Sequence, residues 1–361
     1  AVEPLVESDY VNHAGHLKNC YLVFDTDAAQ NVLYATIANA TKDSMDLKLV
    51  DESELCYGDV NCMKCFKVFF SEDCTDCHDV YFSKNLSGCS NCLGCVNLRN
   101  KRYYVFNQPI AKEEYEQQCS ELNLHSFAAL SAFEERAREF WNRFPRKFMH
   151  GRHNVNVTGD YVYDSKNLRD GYICRGVEDG RFCQRLSVPA AKVVYDYTEW
   201  GHNAQRIYEC ITVGEYVDNI KFSFFCFKNS RNVEYSLGVA SSSDLFGCVG
   251  VRNQEHCILN RRYAPEEYER LRAAIVRDMN ERPYVDQKGR VFRYGEFFPY
   301  DLSLFDYNES TAAQYVPLSK EEVLTKGWHW REPTPSQHQV TMSIEQIPDS
   351  IHEIRDVAIR G

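Results

Sequence analysis

The cysteines carry the most chemistry in this sequence. Cys62-x2-Cys65-x8-Cys74-x2-Cys77 has spacings that close a tetrahedral zinc site when four thiolates converge. His78 and the run Cys89-x2-Cys92-x2-Cys95 extend the same segment. A second reading makes these thiols filling. Cys20, Cys56, Cys65, Cys77 and Cys92 open successive short runs, where Val32 and Met45 open others, and a free cysteine packs as a small hydrophobe. This reading is preferred: few of these slots are cysteine later in the chain, where Cys248 keeps the place of Cys95 and Cys226 that of Cys74. Zinc is therefore the alternative and no cofactor the expectation. Unpaired thiols in this number imply a reducing, cytoplasmic compartment.

Asp73, Asp76 and Asp79 lie beside His78. Carboxylates on adjacent strands can act as general acid and base on a glycosidic bond. The plainer reading places them at corners and on an outer face, so they are only weak catalytic candidates. Arg136, Arg138, Arg143, Arg146, Lys147, His150, Arg152 and His153 form the one basic stretch, interleaved with Phe140, Trp141, Phe144 and Phe148. That mixture can grip phosphates and stack bases. The preferred reading is a helix whose aromatics face a core and whose last turn carries cations. Tyrosines such as Tyr161, Tyr163, Tyr195 and Tyr197 fall in strand-like runs and could present aromatic rows to a ligand. Dinucleotide, Walker, nucleophile-elbow and zincin motifs are absent from the sequence.

The elements that must position these residues are repeats. Asp9-Tyr10-Val11 matches Asp160-Tyr161-Val162 at an offset of 151, and Ser90–Asn100 matches Ser243–Asn253 at an offset of 153. Over residues 90–116 and their counterparts, 12 of 27 positions are identical, which argues for an internal duplication. Within each half, runs of about five residues with alternating apolar and polar character open every dozen residues or so. They begin near Cys20, Val32, Met45, Cys56, Cys65, Cys77 and Cys92, and again near Leu168, Cys183, Val194, Ile207, Ile220, Val233 and Leu245. Asn19, Asn31, Asn91, Asn167, Asn219, Asn232 and Asp244 precede runs and suit corners, because they tolerate the left-handed backbone region.

These features predict a mainly β chain, a tandem right-handed parallel β-helix with two runs, about 24 residues, per coil. An antiparallel β-sandwich is the rival, disfavoured by the scarcity of hairpin dipeptides. The expected organisation is a first β-solenoid at 1–110, a helical cap or linker at 111–153, a second β-solenoid at 154–263 and a helical cap at 264–282. An extended C-terminal arm with one short helix, opened by the capping box Ser319-x-x-Glu322, occupies 283–361. The two helical segments are read as covers for the open ends of the coil stacks.

Composition limits the function classes. Lys+Arg 41 against Asp+Glu 52 gives a net charge of −11 over 361 residues, so general polyanion binding is disfavoured. About half of that excess lies in residues 301–361, with 5 Lys/Arg against 10 Asp/Glu. No apolar run approaches the length of a membrane-spanning helix.

The cassette Gly88-Cys-Ser-Asn-Cys-Leu-Gly-Cys-Val-Asn-Leu-Arg-Asn-Lys101, with Phe106-Asn107 and Lys112-Glu-Glu-Tyr115, resembles a family of uncharacterised Cys-rich repeat proteins of candidate-phyla (Patescibacteria-type) bacteria. Gly295-Glu-Phe-Phe-Pro299, the Leu302–Glu309 stretch and Pro317–Glu322 look like its C-terminal signature. The resemblance runs from about Ser8 to Ile354. It implies flanking zinc-ribbon-like CxxC pairs, and this chain starts and stops where those would lie. The family brings no established activity. Some members bear a CoA-transferase label, which nothing in these residues supports.

The reading favours a non-enzymatic solenoid scaffold or binding module that presents flat β-faces to a protein partner or to itself. A polysaccharide-active β-helix enzyme is one alternative. Nucleic-acid association through residues 136–153, with flanking zinc ribbons, is the other.

Overall fold

In a computed structural model, the structure describes residues 4–186, 191–192, 211–213, 220–227, 230–310, 312–332, 334 and 343–354. The expected runs at Val194 and Ile207, the corner Asn219, and Tyr195 and Tyr197 lie outside them. Strand pairing establishes a parallel β-solenoid in each half. Tyr21 pairs with Leu33, Leu33 with Met45, Phe69 with Tyr81 and Tyr81 with Leu93, always in parallel. In the second half Arg231 pairs with Ser243 and Ser243 with Glu255. These coils are therefore 12 residues, half the expected length, and along them each described run pairs with the next.

The alternation expected within runs gives way to a period of three. From Glu7 to Phe106 every third residue has φ near +50°, glycines at 58, 88 and 94 included. The residue after each of these corners points inward, and from Leu17 to Cys95 every such residue is buried. Four corners, four inward residues and four outward residues make one square coil. The corner residues expected from their type, Asn19, Asn31, Asn91, Asn167, Asn232 and Asp244, are all in the left-handed region. Amide ladders add to them: Asn19 donates to Asn31 at 2.9 Å and Asn31 to Asp43 at 2.6 Å.

A side of three residues is about 10 Å long, so the interior admits little beyond small side chains. Backbone bonding narrows the choice further. An outward N–H bonds the carbonyl of an inward residue one coil on, as Asp9 N to Cys20 O at 3.0 Å. A corner N–H bonds an outward carbonyl one coil back, as Asn19 N to Val6 O at 2.8 Å. An inward residue's N–H is then served by the side chain twelve residues below it. Ser44 Oγ accepts from Cys56 N at 2.9 Å, Ser53 Oγ from Cys65 N at 3.1 Å, and Ser83 Oγ from Cys95 N at 3.0 Å. The same oxygens donate to the carbonyl two residues back, as Ser44 to Lys42. Serine, threonine and cysteine suit these columns because each is small and both donates and accepts.

The chain divides into two compact units, Ala1–Arg146 with Ser336–Gly361 and Lys147–Pro335. In the second, Ile211, Phe224 and Leu237 pair in series at intervals of 13. Val177 pairs with Ala191 at an interval of 14, and Val155 with Lys166 at 11, so the second stack departs from the strict twelve-residue coil. The second stack takes up the chain at Gly151–Arg152, which pairs with Val162 and Tyr163, a few residues before the expected start at 154. The ends of the stacks are closed by turns. Arg102–Val105 folds back antiparallel onto Gln108–Pro109, and Glu255–Ile258 onto Arg261–Arg262. Asn107 plugs the first interior: its side chain accepts from Val96 N at 2.9 Å and donates to Val96 O at 3.0 Å, and Asn260 does the same at Val249.

The helices do other work than expected. Helices α1 (Lys112–Glu121) and α2 (Phe127–Trp141) pack against outward residues on one lateral side of the first stack, as α3 (Pro265–Glu281) does in its own unit. The C-terminal segment is also richer than one short helix. It holds an antiparallel pair, Tyr284–Val285 with Val291–Phe292, and helices α4 (Ala312–Tyr315) and α5 (Lys320–Thr325). The expected capping box is formed at Ser319 and Glu322. Further on, Asp349 caps α2, accepting from Ala128 N at 2.7 Å and bonding Ser126 Oγ at 2.5 Å.

Candidate binding face

The cysteine motif takes its spacing from the coil. Cys62, Cys65, Cys74 and Cys77 are separated by multiples of three because all four are inward residues, and all are buried free thiols. Cys74 stacks one coil above Cys62, and Cys77 one above Cys65. Each thiol lies within reach of the backbone carbonyl two residues back: Cys62 Sγ is 3.6 Å from Val60 O, Cys65 Sγ 3.5 Å from Met63 O, and Cys77 Sγ 3.3 Å from Thr75 O. Hydrogen bonds to Cys65 and Cys74 push the Cys62 thiol up, and bonds from Cys62 and Cys77 pull Cys74 down. The series continues through Cys89, Cys92 and Cys95. Among the described residues no three His, Cys, Asp or Glu side chains are arranged to hold a metal ion.

Asp59 interrupts this interior. It is fully buried, its Oδ1 accepts from Ser71 N at 2.9 Å, and its Oδ2 has no partner. Burial pushes its carboxyl well above the usual range. Nothing in the sequence but its place in the triplet register marks it as interior.

Asp73, Asp76 and Asp79 occupy three successive corners of one coil and so point to different sides. Asp73 accepts from Asn61 at 2.7 Å, and Asp79 pairs with Lys67 at 3.5 Å and His78 at 3.2 Å. The basic stretch is divided as well. Arg136, Arg138, Arg143 and Arg146 belong to the first unit, and Lys147 and Arg152 to the second. Arg136 lies over the Phe106 ring at 4.4 Å, Arg138 bonds Glu134 at 2.8 Å, and Arg146 bonds Asn142. Arg143 and Lys147 are exposed, and Arg152 lies 5.9 Å over Tyr163. Phe140, Trp141 and Phe144 face the core, as the helical reading expects, whereas Phe148 is fully exposed.

An extended apolar surface is built from outward residues that belong to none of these motifs. Twelve-residue pairing aligns Tyr21, Leu33, Met45, Tyr57, Phe69, Tyr81, Leu93 and Val105 in one unbroken column. The neighbouring corner row adds Tyr10, Leu22, Tyr34, Phe70, Phe82 and Phe106. The later coils of this face are covered. Phe70 and Phe82 stack at 4.9 Å, Phe133 of α2 rests 4.8 Å from Phe82, and Tyr115 of α1 donates to Asp79 O at 3.1 Å. Between α1, α2 and the floor of Leu93, Val105 and Phe106 lies a cavity of about 470 Å³, rimmed by Glu114, Glu121 and Arg136.

The second unit repeats the design. Phe222 and Tyr235 stack at 4.9 Å under α3, and Glu234 takes the place of Tyr81. Buried Glu234 accepts from Arg272 of α3 at 2.8 and 2.9 Å, from Lys221 at 3.2 Å and from Tyr294 at 3.1 Å. Burial pulls the Arg272 guanidinium down, but the bond to Glu234 and the charges of Glu234, Tyr294 and Tyr268 together outweigh it, and the net shift is upward. Among the described residues, the early coils of the first unit's face have no such cover. Tyr10 is 72% exposed, Tyr34 49%, Tyr21 38% and Leu33 37%. Tyr10, Tyr21 and Tyr34 meet edge to face at 5.5 and 5.8 Å. The signal in the sequence was an apolar residue every twelve positions, visible only once the coil length is known.

No family model and no curated protein matches this chain. Among solved structures it is similar to a crystal structure described as a putative acetyltransferase from Desulfovibrio desulfuricans G20, at 11% identity and a TM-score of 0.14. That match covers 64% of this chain and 62% of the other, less than two thirds of the neighbour's length. No helix among the described residues is long and apolar enough to cross a membrane.

Proposed function

We propose that this chain is a non-catalytic binding scaffold whose first solenoid offers the uncovered part of its aromatic side to a protein partner. One observation carries the reading: an unbroken apolar column is sheathed by the chain's own helices over its later coils and, among the described residues, bare over its earlier ones. Exposed apolar patches of this kind, rimmed by polar groups, mark interaction sites. A rigid, repetitive backbone suits the task, since its side chains are held in register before a partner arrives. The free thiols support a reducing, cytoplasmic setting, and the Gly88–Lys101 cassette supports membership in the uncharacterised Cys-rich repeat family. The test is co-purification from the native source with the wild-type chain and with the double variant Tyr21→Asp, Tyr34→Asp. The reading expects a protein retained by the wild type and lost from the equally folded variant. Identical companions for both would reject it.

A further inference from the structure

The covered parts of the two aromatic sides obey one rule. In each unit the cover is helical: α1 and α2 in the first, α3 in the second. In each, a covering helix also sends an arginine to a carboxylate among the outward residues. Arg138 of α2 reaches Glu72 at 3.7 Å, and Arg272 of α3 reaches Glu234 at 2.8 Å. Aromatic contact and a guanidinium–carboxylate pair thus occur together both times. The bare stretch continues the same column without a break.

Its charges are one-sided. The column and the corner rows on either side of it carry Glu7, Asp9, Asp43 and Asp46 between residues 7 and 58, and no lysine or arginine. Asp46 lies one coil above Tyr34 in the same corner row. Burial raises its carboxyl and a hydrogen bond with Tyr57 lowers it, with a net upward shift. Four coil steps separate the levels of Asp9 and Tyr57, about 19 Å at ~4.8 Å per coil. About 13 helical residues span that length at 1.5 Å each.

Resting on the reading of this face as a binding face, we infer that its occupant is an amphipathic, arginine-bearing helix of a partner protein, three to four turns long. Its apolar residues at i, i+3, i+4 and i+7 lie on Tyr10, Tyr21, Leu33 and Tyr34, and its cation meets Asp46 or Asp9. The probe is a random peptide library of about 16 residues, long enough for such a helix. It is selected on the full chain and counter-selected on the Tyr21→Asp, Tyr34→Asp variant. Enriched peptides are expected to show the apolar stripe with Arg or Lys and to gain helical circular dichroism on binding. They should weaken about tenfold or more with Tyr34→Asp and several-fold with Asp46→Asn or added salt. Face-specific peptides that bind extended, or that carry no cation, would overturn the helix while leaving the scaffold reading intact. A concentration-dependent dimer dissolved by Tyr34→Asp would make a second copy the occupant and overturn it as well. A monomer that enriches no face-specific peptide would overturn both readings.

Discussion

Replacing Asp59 with serine is expected to stabilise the first solenoid. In the wild type the buried carboxyl satisfies Ser71 N through Oδ1 and leaves Oδ2 without a partner. An unpartnered buried polar atom costs about 1–3 kcal/mol. Serine is already the residue used in the next two coils of the same column. Ser71 Oγ accepts from Ser83 N at 3.1 Å and donates to Phe69 O at 3.0 Å. At position 59 a serine would serve Ser71 N and donate to the Tyr57 carbonyl in the same way. Removing one carbonyl's volume returns about 1 kcal/mol as cavity cost. The net gain is then up to about 2 kcal/mol near neutral pH, or a rise in Tm of up to about 4–8 °C for a unit of this size. The pH dependence gives a second, independent readout. The folded-state pKa of Asp59 is raised above the unfolded value by burial. Its contribution to stability is therefore complete below the unfolded pKa, about 3.9, and is lost as pH rises through the folded one. Melting both proteins by circular dichroism between acid and mildly alkaline pH should show a gap that widens with pH. A serine variant that melts lower at every pH, or a gap that stays constant, would refute the argument that Asp59 is a half-satisfied interior group whose carboxyl burial pushes up.

The same geometry sets three further outcomes. Cys62→Ser should cost less than about 1 kcal/mol because serine fills the same role in these columns, whereas Cys62→Leu should cost about 1–3 kcal/mol by overpacking; urea melts would show both, and a serine variant as damaged as the leucine one would indicate that sulfur itself is required. In a Cys210→Ser background the native protein should react with a thiol reagent at Cys119 alone, the one described cysteine that is not buried, with the remainder titrating only after denaturation; rapid native labelling of Cys74 or Cys92, read by mass spectrometry, would contradict the sealed interior. Arg272→Ala leaves buried Glu234 to Lys221 and Tyr294, and since the arginine is itself partly exposed the expected loss is about 2–4 kcal/mol; Arg272→Ala combined with Glu234→Leu should recover much of it, and a double variant no better than the single would place the loss elsewhere.

The sequence by itself determined the duplication, the parallel winding and the interior fate of the cysteines. Each is written in residue identity: the Gly88–Lys101 cassette recurs, polar corners punctuate short runs, and thiols recur at positions a narrow core accepts. It also determined where the helices lie along the chain and how α5 begins. It concealed the coil length. Strand reasoning assumes that successive side chains alternate across the backbone. Here a left-handed residue turns the chain at every third position, so each corner resets the alternation and one side chain in three points inward. Corners such as Tyr34, Phe70 and Phe82 carry no local mark of that conformation. The backbone adopts it because the parallel hydrogen bonds of neighbouring coils leave no other place for the chain to go. Only tertiary structure decided the consequences of a twelve-residue turn. A metal-like cysteine spacing is the footprint of a triplet register, Asp59 is sealed among thiols, and residues twelve apart join into an aromatic side half covered by the chain's own helices. These are properties of stacking, and stacking is set by long-range pairing rather than by any neighbourhood in the sequence.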